Sequence, residues 1–168
     1  VNWGGGGRAR EKRRASREAQ RRLNEKNARK KIEWLFNENF CEKDVFATFT
    51  FARRVEEGEA RDAVRKLIRR ARAYARRDTS GKSGEIKYIY VIEGRVGADE
   101  VERFHAHMVI SGIGRDALEG MWEDGYANTR RLQPDENQYT GLAKYMTKQR
   151  RFARRWSCSK NLRRPREW

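Results

Sequence analysis

Phe104-His105-Ala106-His107-Met108-Val109-Ile110 holds both histidines of the chain, one residue apart in an otherwise apolar run. In a β-strand successive side chains point to opposite faces, so His105 and His107 project together while Phe104, Ala106, Met108 and Ile110 form the other face. One face is therefore a hydrophobic row that needs a core, and the other carries two imidazoles side by side. Polar rings have no packing reason to interrupt such a run, whereas a divalent cation favours convergent nitrogens. The plain alternative is a half-buried strand with two solvated histidines, and the segments around it decide between the two.

Immediately upstream, Glu85-Ile86-Lys87-Tyr88-Ile89-Tyr90-Val91-Ile92-Glu93 reads as a strand that becomes apolar on both faces, and a connection from Gly94 to Glu102 predicts an antiparallel hairpin with the histidine strand. Val45-Phe46-Ala47-Thr48-Phe49-Thr50-Phe51 is a strand by its β-branched and aromatic content. Between these lies the best helix, residues 57 to 77, where Ala60, Ala63, Val64, Leu67, Ile68, Ala71, Tyr74 and Ala75 follow the i, i+3, i+4 pattern and arginines line the other side. Downstream, Ser111 to Trp122 contains a short helix, Gly125 to Leu132 reads as a polar fourth strand and Asn137 to Gln149 as a helix. Residues 8 to 36 form a basic helix whose apolar stripe (Ala15, Ala19, Leu23, Ala28, Ile32, Leu35, Phe36) strengthens toward its end. The order predicts an α+β fold: a central antiparallel sheet with flanking helices on one face, the other face available to a ligand.

The length of 168 residues fits one domain with a single core. A net charge of +16 is distributed unevenly: residues 1 to 34 hold 12 Lys/Arg against 4 Glu, residues 144 to 168 hold 10 against 1, and the middle is nearly neutral. The chain divides into a basic arm over 1–40, a central domain over 41–150 and a basic tail over 151–168. Two basic arms around a neutral middle point to a polyanion, most simply nucleic acid. No apolar stretch approaches the roughly 20 residues of a spanning helix, which argues against a membrane. Cys41 and Cys158 are far apart and lie in no C-x-x-C pattern, so neither a disulfide framework nor a zinc knuckle is indicated, which fits a reducing cytoplasm. The opening Val1-Asn2-Trp3-Gly4-Gly5 has no apolar signal core, and no G-x-x-x-x-G-K-S/T pattern of a P-loop nucleotidase occurs.

Glu93 ends the strand paired with the histidines, so the hairpin can bring its carboxylate beside His105 and His107. Two neutral imidazoles and a carboxylate with open positions suit Mn²⁺ or Mg²⁺ polarising a phosphate, and ligand type alone also admits Zn²⁺. In the last helix Tyr145 and Lys148 are i and i+3, so a phenol and an ammonium can address the same phosphate. A phenolate attacking phosphorus gives a covalent phosphotyrosyl intermediate, and the nearby cation stabilises the charge that develops.

Phe46-Ala47-Thr48-Phe49-Thr50-Phe51, then Glu93, then His105-Ala106-His107, then Tyr145-Met146-Thr147-Lys148 resemble, in order, the three motifs of HUH-type rolling-circle replication initiators. Glu93 resembles the additional carboxylate on their metal. The ending Trp156-Ser157-Cys158-Ser159-Lys160-Asn161-Leu162-Arg163-Arg164-Pro165 resembles the stretch after the tyrosine helix in bacterial and phage replication-associated proteins of this group. The resemblance spans about residues 33 to 165, and it is carried by the joint order and spacing of motifs that are individually short. It implies an HUH endonuclease domain of RRM-like topology with the metal on the open face of the sheet. It also implies that Tyr145 nicks single-stranded or hairpin origin DNA, keeps the 5′ phosphate and leaves a 3′ hydroxyl for a host polymerase. Thr48, Thr50, Lys144, Arg150, Arg151, Arg154 and Arg155 are the candidate DNA contacts.

Three departures from the family pattern stand out. Ala106 replaces a bulky apolar residue; Gly141 stands where two-tyrosine relatives have a second tyrosine, and Tyr139 falls on another helix face; no helicase is appended within these 168 residues, so unwinding requires a separate protein or a part outside this sequence. A single-tyrosine HUH transposase and a non-catalytic single-strand-binding module that stacks bases on its sheet are the competing readings.

Overall fold

The alternation of the histidine run is realised at the centre of a sheet in the computed structural model, which describes residues 5–78, 84–148 and 155–166. In chain order the elements are α1 (Gly5–Asn39), β1 (Val45–Phe51), α2 (Glu57–Arg77), β2 (Lys87–Val96), β3 (Glu102–Ser111), α3 (Arg115–Met121), β4 (Gly125–Arg131), α4 (Thr140–Met146) and β5 (Trp156–Cys158). The five strands lie in the order β4-β1-β3-β2-β5 with every neighbouring pair antiparallel, an α+β fold with a central open sheet.

Because side chains alternate along each strand, the sheet sorts its residues into two faces. Val45, Ala47 and Phe49 of β1, Tyr88, Tyr90 and Ile92 of β2, and Phe104, Ala106, Met108 and Ile110 of β3 form one core with Ala60, Val64, Leu67, Ile68 and Ala71 of α2 and Leu118 of α3. Helix α2 runs over the residues its periodicity predicts, with Glu57 and Glu59 in its first turn and Arg76 and Arg77 in its last, each complementing the helix dipole.

The other face differs from the expectation that it lies open. Ile32, Leu35 and Phe36 of α1 and Ala143 and Met146 of α4 cover part of it, making a second core with Phe46, Ile89, Val91 and Val109. The register explains why the cover is partial. Across β1, β3 and β2 this face runs from an apolar row, Phe46–Val109–Ile89, through Thr48–His107–Val91 to a polar row, Thr50–His105–Glu93. Apolar stripes of helices dock on the first row, since burying unpaired polar groups of the last would cost free energy. The polar end of the face is therefore where a ligand can reach the sheet.

Two other segments differ from their sequence reading. The stretch read as basic tail contributes β5, with Trp156 opposite Val91 and Cys158 opposite Ile89, and Ser159 Oγ accepts a hydrogen bond from Tyr88 N at 3.1 Å. The hairpin is also longer than expected, so that Arg95 pairs with Arg103 and Val96 with Glu102. No helix among the described residues is long and apolar enough to cross a membrane.

Candidate active site

Adjacent register positions place Glu93, His105 and His107 together on the polar end of the second face. Glu93 and His107 are buried, at 5% and 3% exposure, and His107 Nε2 donates directly to Glu93 Oε2. Behind the imidazoles, Thr48 Oγ1 lies 3.2 Å from His107 Nδ1 and Thr50 Oγ1 lies 3.4 Å from His105 Nδ1. A hydroxyl rotates to donate or accept, so each threonine can hold its ring in either tautomer. The Thr-x-Thr spacing of β1 thus matches the His-x-His spacing of β3 strand to strand, and both threonines serve the rings.

Glu93 draws a crowd of cations. Arg95 Nε is 3.3 Å from its Oε1, Arg95 Nη2 is 3.3 Å from its Oε2, and Lys148 Nζ is 4.0 Å from Oε1. The hydrogen bond from His107 is the main reason that the Glu93 carboxyl is held down at about 2, against burial that would raise it, with Arg95 adding to the depression. His105 is lowered from its usual value, first by burial and then by the Arg95 charge, which favours the neutral ring a metal ligand needs.

Helix α4 carries Tyr145 over this pair. The phenol ring stands edge-on to His107 at 5.5 Å between centroids and to Phe46 at 6.4 Å, and Lys148 Nζ sits 4.1 Å above its face. Tyr145 is 40% exposed, whereas Tyr139, at the start of the same helix, is buried at 7% within the second core. What fixes α4 is α1: Tyr139 N donates to Asn37 Oδ1 at 2.8 Å, Thr140 Oγ1 to Glu33 Oε1 at 2.9 Å, and Arg29 Nε to the Thr147 carbonyl at 3.2 Å. Nothing in the sequence signals these bonds, because α1 reads as a nucleic-acid arm and a polar residue on a helix surface announces no partner.

Of the residues singled out in the sequence, Glu93, His105, His107, Tyr145 and Lys148 come together. The donor chemistry of two imidazoles and a carboxylate fits a hard divalent cation. Among the described residues, however, no three His, Cys, Asp or Glu side chains converge as a preformed cluster, since Glu93 and His107 contact each other and His105 is held toward Thr50. Lys144 is exposed on α4. Arg150, Arg151 and Arg154 lie outside the described residues. Arg155 is not brought to the site: it is 6% exposed and bonds Glu102 at 2.9 Å and Glu57 at 3.1 Å over the Phe104 ring. Gly94 makes that cluster feasible, because a Cβ there would overlap the Glu102 carboxylate and come within 2.9 Å of Arg155 Nη1. Arg95 is the site residue that sequence reasoning missed; it lies in a segment read as a connection, and only the true length of the hairpin puts it on the strand.

The profile of a replication-associated protein family, of the ORF2 type, matches residues 44–150, from just before β1 to just beyond α4. No curated protein and no solved structure matches the chain.

Proposed function

Since the chain belongs to the ORF2-type replication-associated protein family and so has its role in the initiation of replication, we propose that it is the HUH-type endonuclease of that process, nicking and rejoining single-stranded or hairpin origin DNA through Tyr145. The observation that carries this reading is the position of an exposed phenol 5.5 Å from the ring of a buried, carboxylate-bonded histidine, with the Lys148 ammonium 4.1 Å from the centre of the phenol ring.

His105, His107 and Glu93 would hold a divalent cation, Mn²⁺ or Mg²⁺ by the oxygen-seeking chemistry of the substrate, and that ion supplies Lewis-acid polarisation of the scissile phosphate. The chain's own residues do the rest. Tyr145 Oη loses its proton and forms a bond to phosphorus while the bond from phosphorus to O3′ breaks; its electron pair stays on O3′, which takes up a proton. The products are a 5′-phosphotyrosyl protein and a free 3′ hydroxyl, the primer end that a host polymerase extends. Lys148 stabilises negative charge near the attacking oxygen. Thr48 and Thr50 orient the imidazoles, and Lys144 with Arg150, Arg151 and Arg154 contacts DNA backbone.

With the label placed downstream of the nick, incubation of the protein with origin oligonucleotide and Mn²⁺ should yield a protein-linked DNA band. Tyr145→Phe should abolish the band and leave DNA binding nearly intact, because only the nucleophilic oxygen is removed. A wild-type yield from the phenylalanine variant would overturn the assignment; Tyr139→Phe, at a buried position, is the control.

A further inference from the structure

We propose that the groove between Trp34 and Trp156 is a base-stacking subsite for single-stranded DNA, holding a nucleotide that flanks the scissile one. The inference rests on the reading above that single-stranded DNA is the substrate, and it is independent of the cleavage step.

Asn27, Lys30, Lys31 and Trp34 recur at i, i+3, i+4 and i+7 and so share one flank of α1. The neighbouring flanks are used inside the fold: Ile32, Leu35 and Phe36 face the second core, and Arg29, Glu33 and Asn37 hold α4. The remaining flank forms one wall of a groove of about 760 Å³ whose other wall is Trp156 and Pro165. Asn39 fixes that second wall, since its side chain donates to the Arg163 carbonyl at 3.0 Å and accepts from Arg163 N at 2.6 Å, while Leu162 is buried in the second core. The groove is thus built into the fold. Trp156 pairs with Val91 and Val91 with His107, so the indole stands on the face of the sheet that carries the site, two strands or roughly 10 Å away.

The lining matches one kind of occupant. Both tryptophans and Pro165 are half-buried, so each leaves apolar surface at the groove, and Lys30 and Lys31 bring two ammonium groups to the same wall. Aromatic rings edged by cations suit a ligand with flat apolar faces and a negative charge on every unit. A single strand is such a ligand: any base stacks on an indole, and lysines meet the phosphates. A second copy of a chain with net charge +16 would bring repulsion to this wall instead. The groove also lies at the end of the basic arm, where residues 1 to 34 hold 12 Lys/Arg against 4 Glu, so a strand drawn to the arm meets it. A purely structural role accounts for the packing of the two indoles against the second core, and not for the cleft left between them.

Fluorescence anisotropy of the full chain with a labelled oligothymidylate is set beside the same measurement on a strand of equal length in which every sugar lacks its base. Trp34→Leu keeps an apolar side chain on the helix and removes the ring. It should bind the oligothymidylate about five-fold or more weakly and the abasic strand as tightly as wild type, because a stacked base is lost and every phosphate contact is kept. Its salt slope should be that of wild type. Trp156→Leu, from the opposite wall, should show the same selective loss, and Trp34→Phe, which restores a ring, should recover most of the affinity. A loss of equal size on both strands, or no loss on either, in the two leucine variants would overturn the proposal, since damage to the fold or to phosphate contacts does not distinguish a strand with bases from one without. Wild-type protein that binds both strands alike would overturn it too and leave the nicking reading standing, whereas wild-type protein that binds neither removes the single-strand reading together with the subsite.

Discussion

Glu93 concentrates the electrostatics of the site in one buried carboxylate. Its pKa is depressed, mainly by the hydrogen bond from His107, so its contribution to stability is fully present above the ordinary glutamate value of 4.5 and is lost as pH falls toward about 2. Glu93→Gln should therefore flatten the loss of stability between about pH 5 and pH 2.5, which urea-unfolding midpoints of the two proteins over that window would show. Parallel pH profiles would mean that Glu93 is not held in its charged form by the fold. At this scale much of the site is legible in sequence, because strand alternation pairs His105 with His107 and the run read as the neighbouring strand includes Glu93, although that strand continues to Val96. Arg95 and Arg155 are not legible. One owes its place to three extra pairs of hairpin register, and the other reads as a tail charge yet is committed to Glu57 and Glu102.

Among the elements, α1 does two things along one length. Its residues from 16 to 24 are exposed, while Ile32, Leu35 and Phe36 are within 1% of full burial. Beyond the exposed half, Arg29, Glu33 and Asn37 hold the helix that carries Tyr145. Asn37→Ala removes the acceptor for Tyr139 N and should cost about 1 kcal/mol of stability. It should also slow adduct formation while leaving Mn²⁺ affinity unchanged, because the imidazoles and Glu93 stand on the sheet and not on α4. An equal effect on both quantities would show that the sheet site depends on the helix. Strand β3 and helix α2 are readable because each repeats its period over enough residues to declare it, and β1 and β2 by their β-branched and aromatic content. Helix α4 is shorter than its pattern suggests, and β5 has only three residues, too few to show any alternation; both are set by what they pack against.

Across the whole molecule, the charge is gathered toward the two ends. Residues 35 to 143, which hold Glu93, His105 and His107, are close to neutral, and the surplus of the +16 lies before and after them, so in the proposed function the ends would supply affinity for a polyanion. The structure narrows where the N-terminal surplus acts: from Ala28 onward α1 is part of the second core, so removing the helix through that point would damage the fold and confuse the measurement. Deleting residues 1–22 instead takes away a net +6 and spares the α1 side chains that pack in that core. For single strands the log-log salt slope is about −0.7 per phosphate bound, because each such ion pair releases condensed counterions. The truncated protein should bind unrelated single strands more weakly at low salt, with a slope shallower by about 0.7 for each phosphate it no longer reaches, and still form adduct at saturating DNA within roughly an order of magnitude of the full chain. Fluorescence anisotropy across a salt series decides it: an unchanged slope would show that this arm does not meet the DNA backbone, and the affinity would then have to come from the basic residues that follow Tyr145.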